Sequence, residues 1–456
     1  MQKQPQSQTP PLSPEGDDFL SATRGSRAAF ERQRQSIAGG STRGGIFSGD
    51  YPIFIDRGEG CYVWDVDGNR YVDFINASFA LPLGHNHAAI REAMVRQLEK
   101  GTFFTAHNET EWRLAETLCQ RIPSVEKLRF CCSGTEATMF AARGARVFTG
   151  RSKIAKMQGG FHGTNDVLST SLGLMSSGVP STSDYDPVKE AVIGIPPEVF
   201  EGTLLLSFND PAFCERVIER NKDDLAAVFV EPVMGSAGMI PPRDGFLDFL
   251  RDITRRYGIL LVFDEMISLG IAPGGAQEHY GVTPDMTCCG KVIGGGMPIG
   301  CVGGSEEVME VFDPNKRMPS VNHGGTFAGH PLSMVAGLAQ QEAMTPEVYQ
   351  RLHRLGDRLR SMLRELFDDL GAPIQVTGVG QLFCFHVTPN EVYNYETAST
   401  GDADKLRQIM NVLPRHGIHQ VKTSRGSVSA PMEEEHLAAY VRAMEAAVQE
   451  AGLASR

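Results

Sequence analysis

Asp264 and Lys291 are the residues whose type and surroundings point most directly to chemistry. Asp264 ends the apolar run Ile259–Phe263, where a desolvated carboxylate is unfavourable unless it faces a partner such as a protonated heteroaromatic nitrogen. Lys291 lies among small and apolar residues, where desolvation would lower its pKa and make the neutral amine a nucleophile toward an aldehyde. The alternatives are a helix cap or metal ligand for Asp264 and an ordinary solvated side chain for Lys291. No His or Cys lies near Asp264 at ligand spacing, so no metal site is predicted.

A short polar segment, Ser133-Gly134-Thr135, has the composition of a phosphate site. It follows the apolar run Leu128–Cys132 and opens a predicted helix over Ala137–Phe148. Free N–H groups, hydroxyls and the positive end of the helix dipole favour an anion there. The alternative is a plain helix cap with a Gly in the turn.

Three further residues are candidates for the same site. Phe161 stands between glycines in Gly159–Gly163 and is either a stacking platform for a flat ring or an anchor in the core. Glu231 ends the run Leu225–Val230 and is a candidate on the substrate side. Thr326, in a loop of small residues before Pro331, is a candidate further phosphate donor.

The elements that must position these residues alternate between strand and helix. Two continuous apolar runs flank a helix-like segment over Phe246–Tyr257. Such a unit is typical of parallel strands buried on both faces, and ligands bind at the carboxyl ends of such strands. Upstream, Asp67-Gly68 between aromatic and β-branched runs predicts a hairpin within Cys61–Ile75. We therefore expect an α/β fold, with a large, mostly parallel sheet domain and a smaller α+β domain built from both chain ends.

The predicted organisation divides the chain of 456 residues into four parts. They are a disordered tail (1–20), an N-terminal segment of the small domain (21–87), the large α/β domain (88–335) and the C-terminal small domain (336–456).

Composition excludes several classes of protein. The chain is 41% hydrophobic, which is too apolar for a disordered protein, and it carries no apolar run of membrane-spanning length. A net charge of −12 without a long basic block argues against nucleic-acid binding. The nine Cys form no CxxC pair, and no apolar leader segment follows the first Met, so we expect a reduced, cytoplasmic location.

Pyridoxal phosphate (PLP) needs four contacts, and the candidates supply one each. They are a phosphate-binding segment, an aromatic side chain that stacks on the ring, a strand-end Asp and a desolvated Lys. The sequence resembles the class III family of fold-type I, PLP-dependent aminotransferases from about Pro52 to the C-terminal domain. The stretches that carry the resemblance occur in the family's order: SGTEA, GGFHG, VEPV, FDEM, GKVIGGGMPIG and GGTFAGHP. A dinucleotide enzyme is excluded, because no GxGxxG follows the first strands.

The resemblance implies a role for each candidate. Ser133, Gly134 and Thr135 would bind the cofactor phosphate, and Phe161 would stack on the ring. Asp264 would pair with the pyridine nitrogen, while Lys291 would form the Schiff base and move protons. Met266 replaces the Val that usually packs beneath the ring, and Glu231, in the stretch VEPV, is a further candidate for cofactor binding. Thr326 would reach the phosphate of the neighbouring subunit, because such enzymes build each site at a homodimer interface.

Within the family, the chain looks most like glutamate-1-semialdehyde aminomutase and the β-amino-acid (β-phenylalanine) aminotransferases. The segment Gly39–Arg43 resembles an entry loop in which Arg43 would bind a carboxylate, and Thr423–Ser427 resembles a second such loop centred on Arg425. We expect transfer of an amino group from a β-amino carboxylate to a keto acid such as 2-oxoglutarate or pyruvate. The alternatives are an intramolecular aminomutase, another amine:keto-acid transaminase, or a racemase or decarboxylase on the same scaffold. A gating loop is expected between Ser169 and Gly202.

Overall fold

The structure, a computed structural model, describes residues 16–43, 51–172, 185–420 and 423–455. Its N-terminal part consists of short helices and a three-stranded antiparallel meander. The elements are α1 (Gly16–Ala22), α2 (Arg24–Gln33), β1 (Ile55–Glu59), β2 (Tyr62–Asp65), β3 (Arg70–Asp73) and the one-turn segment α3 (Asn76–Phe79).

The predicted hairpin is confirmed, because β2 and β3 pair antiparallel around Asp67-Gly68. The Asp67 carboxylate also accepts hydrogen bonds from the main-chain N–H groups of Gly25 and Ser26, at 2.6 and 2.9 Å. These bonds fasten the start of α2 to the hairpin turn.

The predicted disordered tail needs a correction at its C-terminal end. Residues 16–20 lie in α1, and the Thr23 hydroxyl donates to the Phe19 carbonyl at 2.8 Å, which closes the last turn of that helix. The rest of the predicted tail, residues 1–15, lies outside the described residues.

The middle of the chain supplies the large sheet and its covering helices. The elements are α4 (Ala88–Lys100), α5 (Glu109–Arg121), β4 (Lys127–Cys131), α6 (Gly134–Thr149), β5 (Lys153–Met157), β6 (Thr203–Leu206), α7 (Pro211–Asn221), β7 (Leu225–Val230), α8 (Phe246–Tyr257), β8 (Leu260–Asp264), α9 (Ala276–Tyr280), β9 (Met286–Gly290), β10 (Gly300–Gly304), α10 (Glu306–Met309) and α11 (Pro331–Ala343).

Seven of these strands form one sheet in the order β4-β10-β9-β8-β7-β5-β6. β10 runs antiparallel to both of its neighbours, and the other adjacent pairs are parallel. Strands β7 to β10 are buried along their whole length, as expected for a sheet covered by helices on both faces. The carboxyl ends of β8 and β9 therefore meet at one edge of the sheet.

The C-terminal part adds a long helix and two small groups of strands. The elements are α12 (Pro346–Asp369), β11 (Ile374–Thr377), β12 (Leu382–Val387), α13 (Tyr395–Ser399), α14 (Ala403–Val412), β13 (Ile418–His419), β14 (Gly426–Ser427) and α15 (Glu434–Glu450). β11, β12 and β14 form a three-stranded sheet, whereas β13 pairs in parallel with β3. Both chain ends thus contribute to one four-stranded sheet.

The predicted fold class is confirmed by this mixed α/β architecture with its large, mostly parallel sheet. A buried apolar cluster joins Phe74 to Phe383 and Tyr440, which links the N-terminal segment to the C-terminal helices. Within the described ranges, no helix is long and apolar enough to cross a membrane. The domain boundaries proposed from the sequence remain a prediction.

Candidate active site

Asp264 and Lys291 lie at the ends of adjacent parallel strands. Asp264 is the last residue of β8 and is 2% exposed, and its main chain is in register with Cys288 on β9. Lys291 follows directly after β9 and has a φ of 47°. A non-glycine residue in the left-handed region carries strain of about 1–3 kcal/mol, and such strain is common at functional sites. The sheet itself therefore brings the two predicted residues to one edge.

The amine of Lys291 is shifted toward its neutral form. Burial lowers the pKa of Lys291 to about 8, the negative charges of Asp264 and Glu231 oppose this shift, and the positive charge of Arg425 adds to it. The Lys291 Nζ lies 5.8 Å from the centre of the Phe79 ring. A lysine in this state can supply a neutral nucleophilic amine near neutral pH.

His162 is a site residue that the sequence reasoning missed. Its Nδ1 lies 2.8 Å from Asp264 Oδ2, and both side chains are buried. The other ring nitrogen, Nε2, is also buried and has no hydrogen-bond partner among the described residues. The motif GGFHG contained the signal, since His162 directly follows Phe161, but sequence alone did not reveal which carboxylate it would meet.

Glu231 ties the loop of Phe161 to the end of β7. Its Oε1 accepts from the Phe161 N–H at 2.9 Å, and its Oε2 accepts from the Ser236 N–H at 3.2 Å. Burial raises the pKa of Glu231, although the nearby His162 opposes this. The carboxylate therefore holds the main chain of the loop and leaves the half-buried Phe161 ring free to face a ligand.

The predicted phosphate segment caps α6, as its composition suggested. The Ser133 hydroxyl accepts from the Glu136 N–H at 3.2 Å, and Gly134 begins the helix. A Cβ on Gly134 would lie 2.7 Å from the Met266 sulfur, and one on Gly290 would lie 2.8 Å from the same sulfur. Met266 thus fills the space between the phosphate segment and the residue before Lys291.

Thr135 meets the other end of the aromatic loop. A Cβ on Gly163 would lie 2.5 Å from Thr135 Oγ1, and this oxygen accepts from the Thr164 N–H at 3.1 Å. The phosphate segment and the Phe161 loop are therefore in direct contact at Thr135.

Arg425 enters the site from the C-terminal part of the chain. Its side chain is 5% exposed, its Nε donates to Thr423 Oγ1 at 3.1 Å, and its Nη1 lies 3.4 Å from the Gly235 carbonyl oxygen. Burial lowers the pKa of Arg425, and the charge of Glu231 opposes this. Its influence on the pKa of Lys291 places this guanidinium within electrostatic range of the reactive amine.

Two predicted residues are not brought into this cluster. Arg43 and Thr326 are both exposed, and no contact among the described residues joins either of them to Lys291 or Asp264. Arg43 is the last described residue before the gap at 44–50. The main chain of Phe327 faces the Cys132 thiol, so the Thr326 loop runs beside the phosphate segment of its own chain. Part of the predicted gating loop, residues 173–184, lies outside the described residues.

Comparisons with known proteins agree on the family. The model of the "Aminotransferase class-III" family matches residues 47–448. A relative from Lachnoclostridium phytofermentans, glutamate-1-semialdehyde 2,1-aminomutase 2, is 38% identical over 86% of this chain and 91% of its own length.

Solved structures of transaminases resemble the fold over nearly the whole chain. An omega-transaminase from Sphaerobacter thermophilus has a TM-score of 0.88 and 42% identity, covering 94% of this chain and 98% of its own. A β-phenylalanine aminotransferase from Variovorax paradoxus has a TM-score of 0.85 and 34% identity, covering 95% and 96%. The chain belongs to the class-III aminotransferase family, whose members are PLP-dependent transaminases.

Proposed function

We propose that this enzyme moves an amino group from an amino carboxylate, of the β-amino-acid type, to a keto acid such as 2-oxoglutarate or pyruvate. The observation that carries the proposal is the buried pair of Asp264 and His162 beside a lysine whose amine is partly neutral. Its chemistry suits a cofactor with a protonatable ring nitrogen and a carbonyl group.

The residues present fit PLP. Asp264 is buried, and its Oδ2 is already oriented by His162, so a protonated pyridine nitrogen would satisfy an otherwise unfavourable buried charge. Gly134 and Gly163 have no room for a Cβ, because Met266 and Thr135 pack directly against them, so the phosphate segment and the Phe161 loop are held close to each other. When bound, the cofactor supplies an electron sink for the carbon that carries the substrate amine.

The chain's own residues then divide the work. Lys291 Nζ would hold the cofactor through its carbonyl group. Once the substrate amine has taken that place, Lys291 would carry the proton from the amine-bearing carbon of the substrate to the cofactor carbon that bore the carbonyl. Asp264 would keep the ring nitrogen protonated, and Phe161 would stack on the ring. Ser133 and Thr135 would hold the phosphate, and Met266 would pack against the ring.

Arg425 is the proposed carboxylate-binding residue. It is buried, it is held in place by Thr423 and the Gly235 carbonyl, and it lies within electrostatic range of Lys291. A planar guanidinium in such a position pairs with a carboxylate through two parallel hydrogen bonds. Arg43 is proposed as the second carboxylate contact, at the entrance.

The active unit is proposed to be a homodimer in which the partner's Thr326 completes the phosphate site. The support is the exposure of this threonine together with an open cavity of about 700 Å³ beside its loop, lined by residues that include Trp112, Arg129 and His323. A second copy of the chain would fill this cavity. The cytoplasm is the proposed location.

A donor screen tests the proposal. The enzyme is incubated with 2-oxoglutarate and a panel of β-amino acids, α-amino acids and simple amines, and glutamate is measured. We expect glutamate from β-amino carboxylates and none from Lys291→Ala protein. Turnover that survives in Lys291→Ala would contradict the role of this lysine.

The carboxylate role is tested separately. Arg425→Met should raise KM for amino carboxylates by at least about tenfold and leave KM for simple amines within about twofold, while Arg425→Lys should be intermediate. Equal effects on both donor classes would exclude Arg425 from substrate binding.

An intramolecular aminomutase is the second candidate function. It is supported by the relative from L. phytofermentans that bears this name. An aminomutase moves the amino group of glutamate-1-semialdehyde within one molecule and needs no keto acid. Conversion of this compound at the same rate with and without 2-oxoglutarate, and no glutamate from any donor, would favour the aminomutase.

A further inference from the structure

Lys156 is a fully buried lysine that the proposed reaction does not use. It lies on β5 and is 0% exposed, so its ammonium has been removed from water completely. A buried ammonium is unfavourable unless its donors are all satisfied. The contacts of the ammonium must therefore offset the free-energy cost of its burial, and those contacts indicate its role.

The ammonium of Lys156 is surrounded by main-chain carbonyl oxygens from two loops. One acceptor is Gly160, at 2.7 Å, in the loop that carries Phe161 and His162. The others belong to the segment that follows: Leu168 at 3.3 Å, Thr170 at 2.5 Å and Ser171 at 3.3 Å. Carbonyl groups that converge in this way would repel one another without the cation, because their negative ends point at one spot.

A second bond joins the same two segments. The Gly159 N–H donates to the Ser171 hydroxyl at 2.8 Å. Ser171 has a φ of 48°, so its main chain is held in a strained conformation next to the ammonium. The clamp consists of Lys156 together with Gly159, Gly160, Thr170 and Ser171.

The clamp residue Gly160 directly precedes Phe161 and His162, which belong to the proposed cofactor site. Gly160 is followed by Phe161, whose N–H is held by Glu231, and then by His162, whose Nδ1 meets Asp264. A Cβ on Gly160 would lie 3.1 Å from His162 Nε2, so the main chain at Gly160 packs directly against the imidazole. A shift of the Gly160 carbonyl would therefore move both the Phe161 ring and the His162 imidazole.

We propose that Lys156 is a positioning residue for the cofactor ring: its ammonium fixes the Gly160 carbonyl and thereby sets the positions of Phe161 and His162. This inference rests on the proposed placement of the ring between Phe161 and Asp264. Lys156 acts through the loop and does not touch the cofactor.

Lys156 is also linked electrostatically to the fixed end of the loop. Burial lowers the pKa of Lys156 to about 7, while the negative charges of Glu231 and Glu190 oppose the shift. Glu231 is also the acceptor for the Phe161 N–H, so the charge of Lys156 and the fixed end of the loop belong to one network.

The test compares cofactor binding in two lysine variants on the same strand. Lys156→Met keeps the length and removes the charge and the donors. Lys153→Met is the matched control, since Lys153 is also on β5 but bonds Asn221 and Asp224 away from the site. For Lys156→Met, we expect the PLP dissociation constant of the apoprotein to rise by at least about tenfold and the circular dichroism of bound PLP, per bound molecule, to fall. Lys153→Met should change neither by more than about twofold.

A structural defect is separated from a positioning role by inorganic phosphate. Phosphate competes with PLP for the Ser133–Thr135 segment and does not use the ring contacts. Its inhibition constant against PLP binding should therefore be within about twofold of the parent value in Lys156→Met. Unchanged PLP binding, or equal weakening of PLP and phosphate, would overturn the proposal.

A double-mutant cycle with Lys156→Gln tests the same inference if Lys156→Met folds poorly. Lys156→Gln retains two N–H donors and should bind PLP more tightly than Lys156→Met does. The double variant Lys156→Gln/Phe161→Leu should weaken PLP binding by less than the product of the two single effects, because both substitutions act through one loop. Independent effects would contradict the inference, whereas a Phe161→Leu variant with normal PLP binding would contradict the proposed ring site itself.

Discussion

At the scale of single residues, the site combines a strained lysine with a supported carboxylate. Lys291 adopts a left-handed main-chain conformation directly after β9, and Asp264 receives bonds from His162 and from the Met266 N–H at 3.1 Å. The strained main chain of Lys291 fixes the start of its side chain. The two bonds to Asp264 fix the orientation of its carboxylate plane. Both groups are thus positioned before any ligand arrives, which reduces the reorganisation needed during the reaction.

The lowered pKa of Lys291 leads to the first prediction. Only the neutral amine attacks a carbonyl, so covalent attachment of PLP to the apoprotein should accelerate as pH rises through about 8 and then level off. Arg425→Met removes a positive charge that lowers this pKa, so the midpoint should move to higher pH. Stopped-flow absorbance measures the rate, with free N-acetyl-lysine as the control for titration of PLP itself. A midpoint near the ordinary lysine value of 10.5 would contradict the electrostatic description.

The second prediction concerns the carboxylate. Asp264→Asn preserves shape and removes the charge that keeps a ring nitrogen protonated, so kcat should fall at least about 100-fold, equivalent to about 3 kcal/mol. Bound PLP should remain measurable by its absorbance. Asp224→Asn, an exposed carboxylate, is the control and should retain full turnover. Near-normal kcat in the Asp264 variant would remove this residue from the reaction.

At the scale of elements, the site depends on how tightly α6 sits against β10. A Cβ on Gly300 would lie 2.1 Å from the Ser133 carbonyl oxygen, which is closer than atoms can approach. Ser133 caps α6, so the first residue of β10 sets the height of the phosphate segment above the sheet.

The third prediction follows from this contact. Gly300→Ala should lower stability by about 1–3 kcal/mol and weaken PLP binding, because either the Ser133 carbonyl or the strand must move. Gly202→Ala is the matched control, since its nearest neighbour would be the Ser152 carbonyl oxygen at an ordinary 3.7 Å. Thermal melting of the apoprotein and PLP titration measure the two effects. Equal melting temperatures for the two variants would show that the Gly300 site can relax.

The elements that could be predicted from the sequence are those with local signals. Helix α8 matches its predicted bounds at both ends, because an amphipathic run is followed by Gly258 in the left-handed conformation. Strand β10 could not be recognised, since Gly-Cys-Val-Gly-Gly has almost no branched side chains and is a strand only through its neighbours β4 and β9.

Site residues also divide into those with a local sequence signal and those that depend on contacts between distant parts of the chain. Ser133 and Asp264 could be selected because each stands at the end of a recognisable element, and Lys291 because small and apolar residues surround it in the sequence. The pairing of His162 with Asp264 and the approach of Arg425 to Lys291 join parts of the chain that are distant in sequence. No local pattern encodes such contacts. The resemblance to a family supplied the expected role of Arg425, and the residues by themselves did not.

At the scale of the whole molecule, several large aromatic side chains of the described chain are exposed to solvent. Trp112 is 56% exposed and Phe327 is 57% exposed, and Phe104 is also exposed. Trp112 lies on α5 and lines the open cavity beside the Thr326 loop. Exposed aromatic residues around a cavity are typical of surfaces that a second chain covers.

The fourth prediction tests the proposed homodimer. Trp112→Glu should convert dimers to monomers in light scattering, because a buried carboxylate without a partner is unfavourable at such an interface. Turnover should fall with the dimer fraction, since the phosphate site would lose the partner's Thr326. Ile193→Glu places the same charge at a residue that is 99% exposed and should change neither property. A monomeric variant with full turnover would show that each chain carries a complete site.

The parallel pairing of β13 with β3 delays closure of the four-stranded sheet while the chain is being synthesised. The hairpin strands emerge early from the ribosome, yet their neighbour Ile418–His419 is among the last residues to be synthesised. Until then, the outer edge of β3 has unpaired N–H and C=O groups, a situation that favours wrong pairing with other chains. Arg425 emerges just after β13, so a nascent chain acquires its proposed substrate-binding arginine only when this sheet can close.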